Sequence, residues 1–464
     1  MQEHKEDFSE LVTGLRKNFI NQRLTPLLER DAQLTNLNRM LTDNQEAFER
    51  ALFEDLGKPG LESFMTEIAI VQREIRDTQK QLSTWAAPKK VSTFFALQPA
   101  SSYVQSQPLG VVLIIAPWNY PVQLSLLPLV GAIAAGNCVV LKPSELASHT
   151  SELLATLIPE YLNPDFVKVV TGGIVETTQL LEQKFDHVFF TGGSKVGRII
   201  YQAAAKMGAT CTLELGGKSP CIVDENVNLS YTAENIIWGK FLNAGQTCIA
   251  PDYILVHKNI EQALLAEMKK VLIKFYGEDA KKSKDYGRII NQTHHQRLMH
   301  LLAGQKVYVG GDADEEARYI APTILSDVSP NDKIMHPDEE IFGPILPVLT
   351  VESIDDAITF IRSRPDPLVI YLFSSYNNVF DVVAQQTRSG AISFNATIVY
   401  NSVVTLPFGG IGESGQGKYH GKFSFDTFSH QRALFSKVTW PDFASPLTHP
   451  PYTDTQRMLL KYAL

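Results

Sequence analysis

Cysteine is scarce in this chain: only Cys138, Cys211, Cys221 and Cys248 occur in 464 residues, and none stands in a Cys-x-x-Cys pair. Four are too few to staple a chain of this length, so a reducing, cytoplasmic setting is expected. Blocks of Lys or Arg are also missing and the net charge is −8, which leaves no electrostatic footprint for nucleic acid or an anionic membrane. Long apolar runs are absent too. The longest stretch, Leu124 to Leu141, is interrupted by Ser125, Pro128 and Asn137, so it reads as a buried helix followed by a strand, not as a membrane span. The N-terminal MQEHKEDFSELVTGL lacks the charged-then-apolar order of a signal peptide, and the C-terminal RMLLKYAL is too short and too charged for an anchor. A soluble protein is expected, with no internal repeat or low-complexity tract.

What is present is an ordinary globular composition, 44% apolar and 20% charged, over a length that suits two or three structural units. From Phe8 to Trp85 apolar residues recur at helical spacing, with a break at Gly57-Lys58-Pro59-Gly60. Val91 to Gln107 is aromatic, β-branched and Ser/Gln-rich, as in the exposed strands of a hairpin or arm.

The stretch from Gly110 to Val223 carries the clearest pattern. Short β-branched runs at Val111–Ala116, Cys138–Leu141, Phe166–Val170, His187–Phe190 and Cys211–Leu215 begin 27, 28, 21 and 24 residues apart. Each interval holds a crossover helix and two short loops, which is what parallel strands need. Thr150 is a candidate N-cap for one helix, and Ser194 precedes another whose Val196, Ile199, Ile200, Ala203 and Met207 fall on one apolar stripe. A second α/β segment runs on to about Asn395, and the tail from Ile398 to Phe428 is Gly-rich and β-like. The expected fold is α/β: a Rossmann-like doubly wound domain, a second α/β domain and a small β arm.

Ligands of such sheets bind at the carboxyl ends of the strands. There the chain places Pro117-Trp118-Asn119-Tyr120-Pro121, Lys142-Pro143-Ser144-Glu145, Thr191-Gly192-Gly193-Ser194-Lys195-Val196-Gly197 and Gly216-Gly217-Lys218-Ser219-Pro220. Gly192 to Gly197 opens a helix whose bare N–H groups suit a phosphate, but its spacing is not G-x-G-x-x-G, so a plain tight turn reads equally well. Lys142 and Glu145 suit the hydroxyls of an adenosine ribose, or form a solvated loop.

Cys248, in Asn243-Ala244-Gly245-Gln246-Thr247-Cys248, follows an expected helix from Tyr231 to Leu242 that Gly245 terminates. The negative end of that helix raises a thiol pKa, so activation must come from elsewhere. Glu214 interrupts an apolar strand, where a carboxylate is costly unless it is paired or used. Glu340 and Phe342, in a turn-rich loop, set an acid beside an aromatic ring.

Taken in order, these segments resemble the aldehyde dehydrogenase superfamily over nearly the whole chain, with Phe190-Thr191-Gly192, Leu213 to Pro220, Gly245-Gln246-Thr247-Cys248, Glu340-Ile341-Phe342-Gly343-Pro344 and Pro407-Phe408-Gly409-Gly410 among the matching pieces. Trp238-Gly239-Lys240-Phe241 and Tyr419-His420-Gly421 are similar to its class 3 branch. The resemblance implies Cys248 as nucleophile, Glu214 as general base and Asn119 as oxyanion donor. It implies cofactor contacts from Trp118, Lys142, Glu145, Thr191, Gly192, Ser194, Gly197, Leu215, Gly216, Glu340 and Phe342, and no metal. Gly193 departs from the family's usual Phe-Thr-Gly-Ser.

The implied cofactor is NAD, because Glu145 repels a 2′-phosphate, with NADP possible because class 3 members tolerate both. The implied substrates are medium or long aliphatic or aromatic aldehydes, oxidised to carboxylates through a cysteine thiohemiacetal and thioester. An acylating enzyme using coenzyme A or phosphate, or a silent NAD-binding protein, are the alternatives. By the same resemblance residues 1–90 and 108–214 bind cofactor, 215–396 form the catalytic domain, 91–107 and 397–430 serve a homodimer, and 431–464 form a tail.

Overall fold

The computed structural model describes residues 8–463 apart from 22, 24, 25, 338, 443 and 444. Residues 1–7 and Leu464, ends read above for targeting patterns, lie outside that set. Among the described residues no helix is long and apolar enough to cross a membrane.

All five expected strands of the first sheet are present, as Val111–Ile115, Cys138–Lys142, Val167–Val169, His187–Thr191 and Thr210–Glu214. They pair in parallel, with Val111–Ile115 between Cys138–Lys142 and His187–Thr191. The chain reverses its direction of winding beside Val111–Ile115, so a crevice opens at the carboxyl ends there. Every residue of Val111–Ile115 and Cys138–Lys142 is buried. Each buried Val, Leu or Ile contributes about 1.5–3 kcal/mol relative to exposure, which fixes the positions of the loops that follow. Helix Gln123–Ala135 is buried on all sides and stops at Gly136, whose φ of +94° relieves the left-handed turn.

The second sheet has seven strands in the order Val307–Val309, Thr323–Leu325, Ile345–Val351, Tyr253–His257, Pro220–Val223, Val369–Phe373 and Ala391–Phe394. All neighbours are parallel except the first pair. The two-lobed α/β architecture expected from the sequence is therefore the one observed.

A third, antiparallel sheet joins Lys89–Val91, Ala100–Pro108 and Ser429–Lys437 into an arm. Its last strand runs past residue 430, so the boundary drawn there cuts a continuous element. The tail from Ile398 to Phe428 is mostly loop, because its glycines turn the chain repeatedly. It contributes one short strand, Gly415–Gln416, that pairs antiparallel with the first sheet opposite Glu214 and Leu213.

Three local expectations need correction. Thr150 lies inside helix Ser148–Tyr161, and its hydroxyl and N–H both donate to Asp55 (2.7 and 2.9 Å). Helix Ser194–Met207 buries Gly197, Ile200 and Ala204 and leaves Val196 and Ile199 exposed, so the apolar stripe is not its packing face. The helix before Cys248 is Leu229–Phe241, capped by Asn228, and it ends before Gly245.

Candidate active site

The carboxyl end of Val111–Ile115 delivers Trp118, Asn119 and Tyr120 to the turn that carries Cys248. Asn119 is buried, and its Nδ2 donates to the Gln246 carbonyl at 3.0 Å. Among the described residues this is the only hydrogen bond of that amide nitrogen, so its second N–H remains for a ligand oxygen. The Tyr120 hydroxyl lies 2.7 Å from the Thr247 hydroxyl.

The turn itself is unusual. Asn243 and Ala244 both have left-handed backbones (φ +53° and +51°), and Gly245 follows at +76°. Such conformations cost on the order of 1–3 kcal/mol for residues with side chains and persist only where the surroundings hold them. Here the Asn243 N–H donates to Glu62 (2.8 Å), and its side-chain amide donates to the carbonyls of Asn119 (2.8 Å) and Gln246 (3.2 Å). The Gln246 side chain donates to the Asn243 and Arg288 carbonyls and accepts from the Ile290 N–H.

Cys248 is partly exposed in the wall of a cavity of about 210 Å³, where its apolar neighbours include Met65, Ile70, Leu124, Trp238, Phe408 and Tyr419. Burial pushes its thiol pKa up, the carboxylates of Glu340 and then Glu214 push it further, and the N–H groups of Cys248 and Ile249 pull it back in part. The thiol pKa is raised by burial and by these carboxylates, while the helix before it ends at Phe241.

Glu214 ends strand Thr210–Glu214 beside Thr191. It is 2% exposed, and neither carboxylate oxygen has a hydrogen-bond partner among the described residues. Burial holds its carboxyl well above the ordinary range. A buried ion pair is the plain alternative for this residue, and no such partner is present among the described residues. The buried Thr191 hydroxyl is likewise without a partner among the described residues.

The glycines around this floor are packed against protein atoms that a side chain would strike. A Cβ on Gly192 would lie 2.5 Å from the Phe190 ring, one on Gly197 2.5 Å from Leu215, and one on Gly216 2.1 Å from the Glu340 carboxylate. Helix Ser194–Met207 has Gly193 at its N-cap and no side-chain cap, so its first N–H groups stay open, with Ser194 at the first position. Lys142 is buried, donates to Glu145 (3.4 Å) and the Pro143 carbonyl (3.0 Å), and has its pKa lowered by burial.

The loop with Glu340 and Phe342 is pinned from several directions. Lys218 pairs with Asp252 and donates to the Ile334 and Glu339 carbonyls, Asp252 accepts the Ile341 N–H, and Arg297 donates to the Glu340 and Ile341 carbonyls. Burial holds the Glu340 carboxyl well above its usual range, and Asp252 adds to the rise. The Phe342 ring meets Trp118 edge-on at 5.4 Å, and Trp118 meets His294 at 5.0 Å.

Residue reasoning did not single out Lys58, Glu62, Glu67, Asn243, His294 or Arg297. Lys58 and Asn243 sit in segments flagged as turns, but His294 and Arg297 carry no local signal.

The sequence model of the Aldehyde dehydrogenase family matches residues 1–434. The mouse (Mus musculus) protein named "Aldehyde dehydrogenase, dimeric NADP-preferring" is 48% identical over 96% of this chain and 98% of its own length. Mouse "Aldehyde dehydrogenase family 3 member B2" is 47% identical over 97% of this chain and 94% of its own. The substrate-bound structure of Staphylococcus aureus AldH superimposes with a TM-score of 0.95 at 43% identity, covering 100% of this chain and 99% of that one.

Proposed function

The chain belongs to the aldehyde dehydrogenase family, as an NAD(P)-dependent enzyme that oxidises aldehydes to carboxylates, and from that premise we propose how its own residues divide the work. Cys248 is the nucleophile, Glu214 the general base and Asn119 the side-chain donor to the oxyanion. The observation that carries this reading is Glu214: a buried carboxylate without a partner, beside a cysteine in the wall of an apolar cavity.

A dinucleotide fits the residues present. The uncapped helix at Ser194, with open space over Gly193 and the close-packed Gly192 and Gly197 beside it, suits its phosphates, Lys142 and Glu145 its adenosine ribose, and Glu340 and Phe342 with Trp118 its nicotinamide side. Thr191, Leu215 and Gly216 complete the floor. Glu145 repels a 2′-phosphate, so NAD is the preferred form, while a relative 48% identical that is named NADP-preferring supports acceptance of NADP as well.

Cys248 loses its thiol proton to solvent, the resulting thiolate adds to the aldehyde carbon, and the oxygen takes the electron pair as an oxyanion of a thiohemiacetal. Asn119 and the Cys248 N–H stabilise that charge, each donor being worth on the order of 3 kcal/mol. When bound, a nicotinamide dinucleotide supplies the acceptor for the hydride, whose departure leaves a thioester on Cys248. Glu214 then takes a proton from water, the hydroxide adds to the thioester carbonyl, and the thiolate leaves as the carboxylate forms. A carboxyl with a raised pKa is suited to this step, because its conjugate base is stronger than an ordinary carboxylate.

The cavity supports medium or long aliphatic and aromatic aldehydes. Each added methylene is worth ~0.8 kcal/mol when buried, so kcat/KM rises about fourfold per carbon until the cavity fills. A panel from acetaldehyde through decanal to benzaldehyde, with Cys248→Ala as control, tests this. A flat profile contradicts the pocket reading, and activity that survives in Cys248→Ala contradicts the nucleophile.

The first-sheet unit, with the N-terminal helices, binds cofactor and the second-sheet unit carries the nucleophile. The arm exposes Val91, Phe94, Phe95, Phe435 and Val438, which supports a homodimer. Light scattering of the purified protein checks that assembly. Four free cysteines support a cytoplasmic location.

A further inference from the structure

The helical segment after Gly57-Lys58-Pro59 does not wind regularly. Gly60–Ser63 is a single α-turn, Phe64–Ile68 is a π-helical turn, and Ala69–Ala86 continues as α-helix. Its inward side carries Glu62, Glu67 and Glu74, which are 8%, 0% and 2% exposed. Three buried carboxylates so close in sequence are costly unless each is used.

Each one binds main-chain N–H groups of a different loop around the cavity. Glu62 accepts from Asn243 (2.8 Å), Glu67 from Val122 and Gln123 (3.0 and 2.9 Å), and Glu74 from Gly421 (2.5 Å). Asn243 opens the left-handed turn before Cys248, and Val122 and Gln123 follow Asn119 and Tyr120. The buried cation among them is Lys58. Its Nζ lies 2.5 Å from Glu67, 3.3 Å from the Asn119 carbonyl and 4.0 Å from the centre of the Tyr120 ring. In a regular α-helix Glu62 and Glu67 would point about 140° apart. The wider π-turn between them reduces that angle and turns both toward the site, a use such turns often serve.

We propose that Glu62 and Glu67, with Lys58, are positioning residues for aldehyde oxidation: they fix the main chain on both sides of Asn119 and Cys248 and so set the geometry of oxyanion donor and nucleophile. Asn243 closes the link, because its side-chain amide bonds the Asn119 and Gln246 carbonyls at once. A shift at Asn243 therefore moves both groups. The inference rests on the roles given above to Cys248 and Asn119.

The test compares purified full-length wild type, Glu62→Ala and Glu62→Gln in NAD-linked benzaldehyde oxidation and in hydrolysis of p-nitrophenyl acetate. The activated ester acylates the cysteine without needing a cofactor. Glu62→Ala is expected to lower kcat roughly tenfold to a hundredfold, as for other misplaced catalytic groups, while both KM values stay within about twofold. Ester hydrolysis falls in parallel. Glu62→Gln keeps a carbonyl acceptor for the Asn243 N–H and is expected to recover kcat to within about threefold of wild type. If Glu62→Ala does not fold, Asn243→Asp replaces it: Asp tolerates the left-handed backbone but lacks the amide donor, and the same fall in kcat at unchanged KM is expected. Wild-type kcat in the variant that folds, a loss spread equally over kcat and KM, or a Glu62→Gln enzyme as impaired as Glu62→Ala would overturn the inference. A wild type without Cys248-dependent oxidation would instead remove the reading beneath it.

Discussion

Gly245 lies directly against the carbonyl of Gly343: a Cβ at position 245 would stand 2.3 Å from that oxygen. The contact joins the turn that carries Cys248 to the loop that carries Glu340 and Phe342. Both partners are main chain, so neither can swing aside as a side chain would.

Gly245→Ala is therefore expected to be damaging twice over. The φ of +76° costs an alanine on the order of 1–3 kcal/mol, and the clash forces the two loops apart. Urea unfolding should show that loss, and kcat should fall roughly a hundredfold if the reacting groups separate by about 1 Å. A variant with wild-type kcat would mean that the loops do not need this approach.

Lys58 and Glu67 are fully buried and paired at 2.5 Å. Lys58→Met fills similar volume but strands a carboxylate, and breaking a buried pair from one side typically costs about 3–5 kcal/mol. Denaturant titration should show a loss of that order, and the double variant Lys58→Met/Glu67→Gln should recover part of it. A single variant as stable as wild type would show that the pair contributes nothing.

The first sheet was legible because its strands are buried on both faces and read as β-branched runs, which periodicity detects. The ends of those strands follow directly, so Asn119, Lys142 and Thr191 stand out as residues that follow a strand and Glu214 as a carboxylate in an apolar one, while their roles come from the family resemblance. Thr150 was misread because a hydroxyl near a helix start has the same local signature whether it caps the helix or bonds a distant Asp55. Lys58 looked like part of a turn. Its partners lie nine and sixty-one residues away, and only packing brings them together. The π-turn at Phe64–Ile68 is invisible for a related reason: its extra residue is set by the loops it must reach, not by local propensity.

His187 is buried against the Phe428 ring, and burial lowers its pKa from 6.5 to about 3. The folded protein thus refuses a proton that the unfolded chain accepts. Its contribution to stability is fully present above 6.5 and is lost as pH falls from there toward 3. Between pH 7 and pH 5 this amounts to about 2 kcal/mol. Urea unfolding at those two values should show a smaller drop for His187→Gln than for wild type. Equal drops would remove His187 from the acid response.

The raised carboxyl of Glu214 acts in the opposite sense on stability and rate. Stability gained from keeping it neutral is lost as pH rises through its raised value, whereas water activation begins there because only the ionised form takes a proton. Thioester hydrolysis should therefore rise with pH along a limb above the ordinary carboxylate range. Glu214→Gln should flatten that limb and unfold less readily than wild type at alkaline pH. A limb unchanged in Glu214→Gln would belong to another group.

The division of labour between Cys248 and Glu214 is tested most directly by rapid mixing of Glu214→Gln with an aldehyde and NAD, following reduced cofactor by absorbance. A burst of about one equivalent per Cys248, followed by a slow steady state, is the expected result, since acylation precedes the step that needs the base. Undiminished steady turnover without a burst would contradict Glu214 as the base that clears the thioester.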